Sequence, residues 1–169
     1  MEQCVDISIK MINPEAKMPT IHKDNNRISV LYAAEDVFIA PNETVAVSTG
    51  LGFIFPDDVG LMFFPPSELS SKASLRFANN VFVLENDYYY QGEVKIHLQN
   101  NYSLNKDSKK VPEYKLIDGT IVSDSNNLYE KGTVKICKGD CIAQMMPVDA
   151  AYNGVKKPTE KPTNKEPAL

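Results

Sequence analysis

Residues 74–98 read SLRFANNVFVLENDYYYQGEVKIHL, and this stretch decides the class of fold. Its first β-prone run is VFVLE and its second is EVKIHL. In the second run Val94, Ile96 and Leu98 alternate with polar side chains. Such alternation has the two-residue period of a strand with one buried face. A polar, tyrosine-rich segment separates the two runs, so the stretch predicts a strand pair joined by a turn.

The same pattern continues on both sides of this stretch. Further β-prone runs are ISVLYA, TVAVST, GFIFP, GLMFF, TVKI and CIAQMMPV, and turn-forming segments such as APNET, PDDVG and KGD separate them. Helical periodicity is nearly absent, and only PSELSSKA predicts one helical turn, with Ser67 as its cap. Many short strands at this spacing predict an all-β jelly roll or barrel.

Length and composition restrict the classes of function. The chain has 169 residues, 43% of them hydrophobic, which suits one globular domain with its own core. Its formal net charge is −4 and it has only two arginines, Arg27 and Arg76, which argues against nucleic-acid binding through a general basic field. No window approaches the roughly 18 consecutive apolar residues of a membrane span. The opening MEQCVDISIK lacks a signal-peptide core, so we expect a cytoplasmic protein that does not bind membranes.

The three cysteines, Cys4, Cys137 and Cys141, do not make a disulfide framework, which favours a reduced intracellular protein. The CKGDC run brings two thiols close in sequence. With only His22 and His97 elsewhere, these thiols are too few for a structural zinc site. We therefore expect no bound metal and no required cofactor.

One segment differs from the rest in being polar and loop-like. It covers about 101–132 and contains YKLIDGTIVS, where Asp118-Gly119 stands between two β-prone runs. This dipeptide is a strong hairpin signal, and it predicts an inserted hairpin at about 113–123 with a type I′ turn.

The end of the chain reads NGVKKPTEKPTNKEPAL and offers almost nothing to bury, so we expect residues 153–169 to be a disordered tail. The predicted domain is then 1–152, with the insertion at about 101–132.

Several local phrases, taken in order from about 5 to 148, resemble the dUTP pyrophosphatase (dUTPase) family. The first motif of that family normally reads like AGxDLYA. RISVLYAAED keeps the LYA letters but has Val30 where the motif has its aspartate and Ile28 where it has glycine. The second motif reads like PRSSL. FPPSELSSK keeps Ser67 but has Pro66 where the phosphate-gripping arginine belongs, and Glu68 follows.

The third motif reads like N-x-x-GxIDxDYRGE. The residues that match it are Asn79, Asp87, Tyr88, Gly92 and Glu93. Phe82 replaces its glycine, Glu85 replaces its water-activating aspartate, and two residues lengthen the turn.

The fourth motif reads like GDRIAQ, and GDCIAQ keeps Gln144 with Cys141 in place of arginine. The fifth motif, a glycine-rich arm that carries an arginine and closes over the triphosphate, is missing.

This resemblance implies a jelly roll that forms a homotrimer, with three sites built from neighbouring subunits. It implies that Asn79 contacts the base edge and that Tyr88 packs under the deoxyribose. Ser67 and Gln144 match polar positions on the phosphate side. Phe82 either fills the pocket or stacks on a different base. These five residues are the candidate ligand-binding set.

The substitutions argue against hydrolysis. One charge-assisted hydrogen bond contributes about 1.5–3 kcal/mol, so losing three arginines costs on the order of 5–9 kcal/mol of triphosphate binding. We favour a catalytically inactive protein that either sequesters a nucleotide-derived ligand or docks on a host protein. Two alternatives stay open: an active pyrophosphatase using Glu85 as base and magnesium, and a purely structural trimer. The FPxSxLSSK phrasing resembles phage dUTPases, which suggests a phage protein in a bacterial cytoplasm.

Simpler interpretations apply to the same residues. Asn79 and Ser67 are polar residues of a kind that commonly stabilise turns, and Gln144 could satisfy a neighbouring strand. Glu85 is equally compatible with a solvated surface charge. The alternation around His97 predicts a packed core or edge histidine.

Overall fold

The computed structural model describes residues 6–21, 28–85, 92–104 and 109–149, which form sixteen strands and one short helix. The strands in chain order are β1 (Ser8–Met11), β2 (Thr20–Ile21), β3 (Ser29–Tyr32), β4 (Val37–Ile39), β5 (Thr44–Ser48), β6 (Leu51–Ile54), β7 (Val59–Phe64), β8 (Leu75–Phe77), β9 (Phe82–Glu85), β10 (Lys95–Asn100), β11 (Lys110–Val111), β12 (Glu113–Leu116), β13 (Ile121–Ser123), β14 (Tyr129–Glu130), β15 (Val134–Ile136) and β16 (Cys141–Asp149). The helix α1 (Ser67–Ala73) lies between β7 and β8. The predicted all-β class is confirmed.

The largest sheet has five strands in the order β2-β3-β16-β7-β9. The long strand β16 lies near its centre and pairs antiparallel with β3 on one side and β7 on the other. The pairing with β3 shifts by one residue at Ile142, because Tyr32 lies opposite Cys141 whereas Leu31 lies opposite Ala143. This bulge lets both Ile142 and Ala143 be fully buried.

The other strands form smaller sheets. One has the order β5-β10-β8, a second has the order β13-β12-β15-β4, and two strand pairs are β1-β6 and β11-β14. The strands of the described residues therefore do not form one closed barrel.

A continuous apolar core lies between the sheets. In β10 the side chains of Ile96 and Leu98 are buried while those of Lys95 and His97 are exposed, as the alternating sequence predicts. Phe63 on β7 is also fully buried. Each such side chain stabilises the fold by about 1.5–3 kcal/mol relative to an exposed position.

The prediction that the two runs of residues 74–98 pair with each other is wrong for their described parts. β9 pairs with β7, whereas β10 pairs with β5 and β8, so the chain passes from one sheet to another between them. Each run has its antiparallel partners elsewhere in the fold, and the core fills the space between the two sheets.

The helix is longer than the predicted single turn, and Ser67 is its first residue rather than its cap. Pro66 occupies the N-cap position and makes no side-chain cap bond. The helix ends at Ser74, whose φ of 59° is left-handed and whose N–H donates to the carbonyl of Leu69. Leu69 and Ala73, four residues apart, are its buried positions. No helix of the described residues is long and apolar enough to cross a membrane.

The inserted hairpin is confirmed, since β12 and β13 pair antiparallel. Its turn differs from the predicted type I′. Gly119 has a φ of +91° and donates to the carbonyl of Leu116 at 3.0 Å, but Asp118 has no positive φ. The N–H of Leu116 also donates to the carbonyl of Thr120 at 2.8 Å. These bonds define a three-residue loop in which glycine forms the bulge.

The insertion extends a sheet of the core. β12 pairs in parallel with β15, which itself pairs with β4. At its base the buried amide of Asn100 donates to the carbonyls of Ile39 and Gly132, both at 2.9 Å. The domain limits at 1–152 and about 101–132 stay predictions, and residues 153–169 lie outside the described part of the chain.

Candidate functional site

A cleft of about 600 Å³ opens where β8, β9 and β10 meet. Its floor is apolar and consists of core side chains, Phe77, Leu84 and Ile96. Its rim carries polar groups, among them Asn79 and His97. An apolar floor with a few polar groups around it is the usual composition of a small-molecule site.

The wall of this cleft is aromatic. Phe82 lines it and stacks on Phe63, which lies opposite in the β7–β9 register, with ring centroids 5.0 Å apart and planes inclined by 23°. The ring of Phe82 is half-buried, so one part packs on the core and another part borders the cleft. Phe82 therefore narrows the cleft without closing it.

The rim residues come from a turn and from a strand. Asn79 lies in a turn where Asn80, with a left-handed φ of 60°, donates to the carbonyl of Phe77 at 3.3 Å. This turn exposes the side chain of Asn79. Lys95 and His97 stand two residues apart on the outer face of β10, and both are exposed. The expectation of a packed core or edge histidine is therefore corrected: His97 is exposed on the outer face of β10, the middle strand of its sheet, because the core side of this strand is taken by Ile96 and Leu98.

Glu93, which also lines the cleft, is held by the backbone of the core. Its Oε1 accepts hydrogen bonds from the N–H of Gly50 at 2.7 Å and from the hydroxyl of Ser48. Its Oε2 lies 3.9 Å from the Nζ of Lys95. The match of Glu93 to the third dUTPase motif thus has a structural explanation.

A second cluster of candidate residues lies on the outer face of the five-stranded sheet. Gln144 on β16 is flanked by Val30 on β3 and by Phe64 on β7, and the three side chains form one row across the strands. Tyr32, two residues after Val30 on β3, lies opposite Cys141, which is three residues before Gln144 on β16 because of the bulge. Positions from three separate motif phrases therefore converge on one surface.

The thiol of Cys141 is neutral at physiological pH. Burial raises its pKa to about 11, and the nearby Glu68 carboxylate adds to this effect, while Lys17 opposes it. Lys17 also places its Nζ 3.6 Å from the centroid of the Tyr32 ring. The carboxylate of Glu68 accepts a hydrogen bond from the hydroxyl of Ser67 at 3.1 Å. The pKa of this carboxyl is lowered, first by a hydrogen bond from its own backbone N–H and second by the bond from Ser67.

The structure separates the predicted ligand-binding residues into two places. Asn79 and Phe82 line the cleft. Gln144 lies in the outer row, and Ser67 begins the helix that follows β7. Tyr88 lies outside the described residues. The alternative base, Glu85, is exposed at the end of β9, opposite Gly60.

The described residues do not form a metal-binding site. Within 6–21, 28–85, 92–104 and 109–149, no three His, Cys, Asp or Glu side chains come together in a way that could hold an ion.

Solved structures of two staphylococcal phage dUTPases have the same architecture. A variant of the dUTPase from phage phi11 of S. aureus, studied for its coordination of a structural Mg(II) ion, gives a TM-score of 0.79 at 24% identity. That match covers 92% of this chain and 97% of the other. The dUTPase of Staphylococcus bacteriophage 80alpha gives a TM-score of 0.76 at 22% identity over 96% of this chain and 99% of that one. The chain has the dUTPase fold.

Curated sequences agree with this dUTPase resemblance. The deoxyuridine 5'-triphosphate nucleotidohydrolase of Thermobifida fusca is 30% identical over 96 residues, or 57% of this chain and 52% of the relative. The Clostridium tetani enzyme is 27% identical over 107 residues, covering 61% of this chain and 72% of its own length. The chain thus spans about half the length of the first of these relatives. No family model matches the chain.

Two lysines, Lys17 and Lys95, lie near the candidate residues of this dUTPase fold, and no sequence motif marks them. Lys17 lies in the segment before β2, outside the five motifs, and nothing in its sequence neighbourhood marks it. Lys95 alternates with the apolar side chains of β10 as any exposed strand lysine does. The surroundings of both lysines depend on how the strands pack, which their sequence neighbourhoods do not show.

Proposed function

We propose that this chain is a dUTPase-like protein that binds a nucleotide-derived ligand without hydrolysing it. The observation that carries the proposal is the state of the two positions where the family motifs have arginine. Pro66 offers no side-chain donor at the N-cap of α1. Cys141 offers a neutral thiol with the Glu68 carboxylate nearby.

These substitutions remove what a triphosphate needs. A guanidinium binds phosphate oxygens in two places and carries a full charge, whereas a proline and a protonated thiol do neither. Transition-state stabilisation in phosphoryl transfer depends on such charges placed in advance. Glu68 adds a negative charge where the ligand already has several, so hydrolysis loses its main electrostatic support.

Groups that could hold a base line the cleft. It has an apolar floor, Asn79 at the position that matches the motif on its rim, and the ring of Phe82, in place of the motif's glycine, on its wall. A half-buried aromatic ring beside a polar amide suits a flat ring with hydrogen-bonding edges. The cleft therefore supports binding of a base or nucleoside, and the ligand is a nucleotide-like small molecule.

Assembly into a homotrimer is part of the proposal. The outer face of the five-stranded sheet carries an apolar row, as its inner face does. In this row Met146, Met62 and Val83 lie in register across β16, β7 and β9. Val83 leaves 45% of its surface exposed in the single chain. An apolar row of this kind supports coverage by a neighbouring subunit.

Docking on a host protein is the second candidate, and one observation favours it. The inserted segment exposes two large apolar side chains, Ile121 at 60% and Leu128 at 64%. Near them the half-exposed ring of Phe38 packs against Tyr114 and Tyr129. Such a surface suits an apolar patch on a protein partner, with the host bacterial cytoplasm as the compartment.

The proposal is tested by two measurements on the same preparation. The first is release of pyrophosphate from dUTP with magnesium, at high protein concentration over hours, together with the Glu85→Gln variant. The second is binding of deoxyuridine and of a non-hydrolysable dUTP analogue by calorimetry. We expect binding of deoxyuridine and no hydrolysis. Turnover in the ordinary range of about 1–10³ s⁻¹ that Glu85→Gln abolishes would instead establish an active pyrophosphatase.

A further inference from the structure

Lys17 lies outside every dUTPase motif and yet belongs to the second cluster. It sits in the segment between β1 and β2, and its Nζ lies 3.6 Å from the centroid of the Tyr32 ring. The Tyr32 hydroxyl is in turn within 2.5 Å of the hydroxyl of Thr20, which begins β2. The lysine therefore lies over a ring that is itself fixed on the sheet.

The position of this ring brings Lys17 to the place of a missing arginine. Tyr32 lies directly opposite Cys141 in the β3–β16 register, and Cys141 occupies the arginine position of the fourth motif. The charge of Lys17 acts on the Cys141 thiol, against the Glu68 carboxylate on the same group. One cation, Lys17, and two carboxylates, Glu68 and Asp140, thus act on the position where the motif has a cation alone.

We propose that Lys17 replaces this arginine as the phosphate-binding cation, and that the ligand carries a phosphate monoester rather than a triphosphate. The inference rests on the proposed nucleotide-binding function and on the proposed homotrimer, in which the second cluster of one subunit would meet the cleft of a neighbouring subunit, and it names the ligand class of that shared site. An ammonium group is a point charge that binds one phosphate well but lacks the fork of a guanidinium. Glu68 opposes each further phosphate, so a ligand with one phosphate is the best match in charge.

The proposal agrees with the exposure of these groups. Lys17 and Glu68 are both exposed, so a ligand can reach them, while Ser67 presents its hydroxyl beside Glu68. A phosphate monoester would draw the Nζ of Lys17 away from the Tyr32 ring. A cation–π contact at an exposed position is worth only about 0.5–1 kcal/mol, so this movement costs little.

The test uses calorimetric titration of the full chain with four probes: deoxyuridine, dUMP, inorganic phosphate and a non-hydrolysable dUTP analogue. The variants are Lys17→Met, Lys17→Arg and Glu68→Gln, with Lys10→Met as the matched control, since Lys10 is an exposed lysine on β1. Circular dichroism checks that each variant is folded.

We expect Lys17→Met to weaken dUMP binding at least about 10-fold, the equivalent of one charge-assisted hydrogen bond. Lys17→Arg should retain binding, Lys10→Met should leave it unchanged, and deoxyuridine should bind equally to all. Glu68→Gln should improve binding of the triphosphate analogue more than binding of dUMP.

Two results would overturn the inference: equal dUMP binding by the wild type and Lys17→Met, or a wild type that binds neither dUMP nor inorganic phosphate. Failure of the proposed function is distinguishable from both. In that case the wild type does not bind deoxyuridine, and inorganic phosphate still binds in a manner that depends on Lys17.

Discussion

The ring of Phe82 stacks on the ring of Phe63, with 5.0 Å between the ring centroids. Phe82 stands where the third dUTPase motif has glycine. Phe63 is fully buried and also contacts Phe53 edge-on, with centroids 6.2 Å apart. Phe82 therefore continues an aromatic column from the core to the wall of the cleft. A residue at a presumed ligand position contributes here to the stability of the fold.

Replacing Phe82 by alanine should lower the free energy of unfolding by about 2–3 kcal/mol, since a buried Phe→Ala change costs about 3–5 kcal/mol and this ring is half-buried. The measurement is urea unfolding followed by circular dichroism. Val81→Ala is the control, because this side chain is exposed just before β9 and lies outside the apolar row of the proposed trimer interface. Equal losses in the two variants would contradict a role for the stacked ring.

Replacing Glu93 by alanine should destabilise the fold by about 1.5–3 kcal/mol, because hydrogen bonds to a charged acceptor are lost and the N–H of Gly50 loses its partner. Gly50 is buried, so water does not readily replace the carboxylate. Thermal unfolding measures the effect, with the exposed Glu130→Ala as the control. A Glu93 variant as stable as the control would show that the carboxylate acts only toward a ligand.

Three glycines with similar φ angles allow the cost of backbone strain to be measured separately from the cost of steric crowding. Gly132, Gly119 and Gly139 have φ values of +95°, +91° and +90°, so alanine is strained at each by about 1–2 kcal/mol. An added Cβ at Gly132 would lie 2.3 Å from the ring of Tyr102, whereas at Gly139 it meets nothing within 4 Å. Gly132→Ala should therefore destabilise the chain by about 1–3 kcal/mol more than Gly139→Ala.

The comparison is made by denaturant unfolding of all three variants. Gly119→Ala should resemble Gly139→Ala, because its nearest contact would be an ordinary 3.6 Å to the Cβ of Lys72. A Gly132 variant that matches the other two would indicate that Tyr102 is free to move, and that the base of the insertion is not closely packed.

Asp124 should make the inserted segment sensitive to acid. The hydroxyl of Tyr129, 2.6 Å away, lowers the pKa of this carboxyl, and the amide of Asn127 adds to the effect. A lowered pKa in the folded state means that the stabilisation is present above the unfolded pKa and is lost as pH falls through the folded one. The loss should thus occur below about pH 4.

Melting temperatures of the wild type and of Asp124→Asn, measured between neutral and acidic pH, check this expectation. The variant should be less stable at neutral pH and should lose less on acidification. Asp58→Asn, at an exposed turn position, is the control. Parallel curves for Asp124→Asn and the wild type would contradict the assignment.

Several features could be predicted from local patterns because their causes are local. The alternation in β10 separates Ile96 and Leu98 from Lys95 and His97 correctly, since side chains on a strand alternate between faces whatever the partner strand is. The Asp118-Gly119 pair located the inserted hairpin. The exact turn type depended on one backbone angle, and the residue letters do not determine it.

The sequence by itself determined the strand periods, the position of the β12–β13 hairpin and the resemblance to the dUTPases, because each depends on residues close together in the chain. Only the tertiary structure decided that β9 and β10 join different sheets, and that Val30, Gln144 and Phe64 share one row. Every strand has the same two-residue period, so the period cannot select a partner. That choice comes from the packing of distant apolar faces into one core, and the tertiary structure likewise places Lys17 over the ring of Tyr32, which lies opposite Cys141.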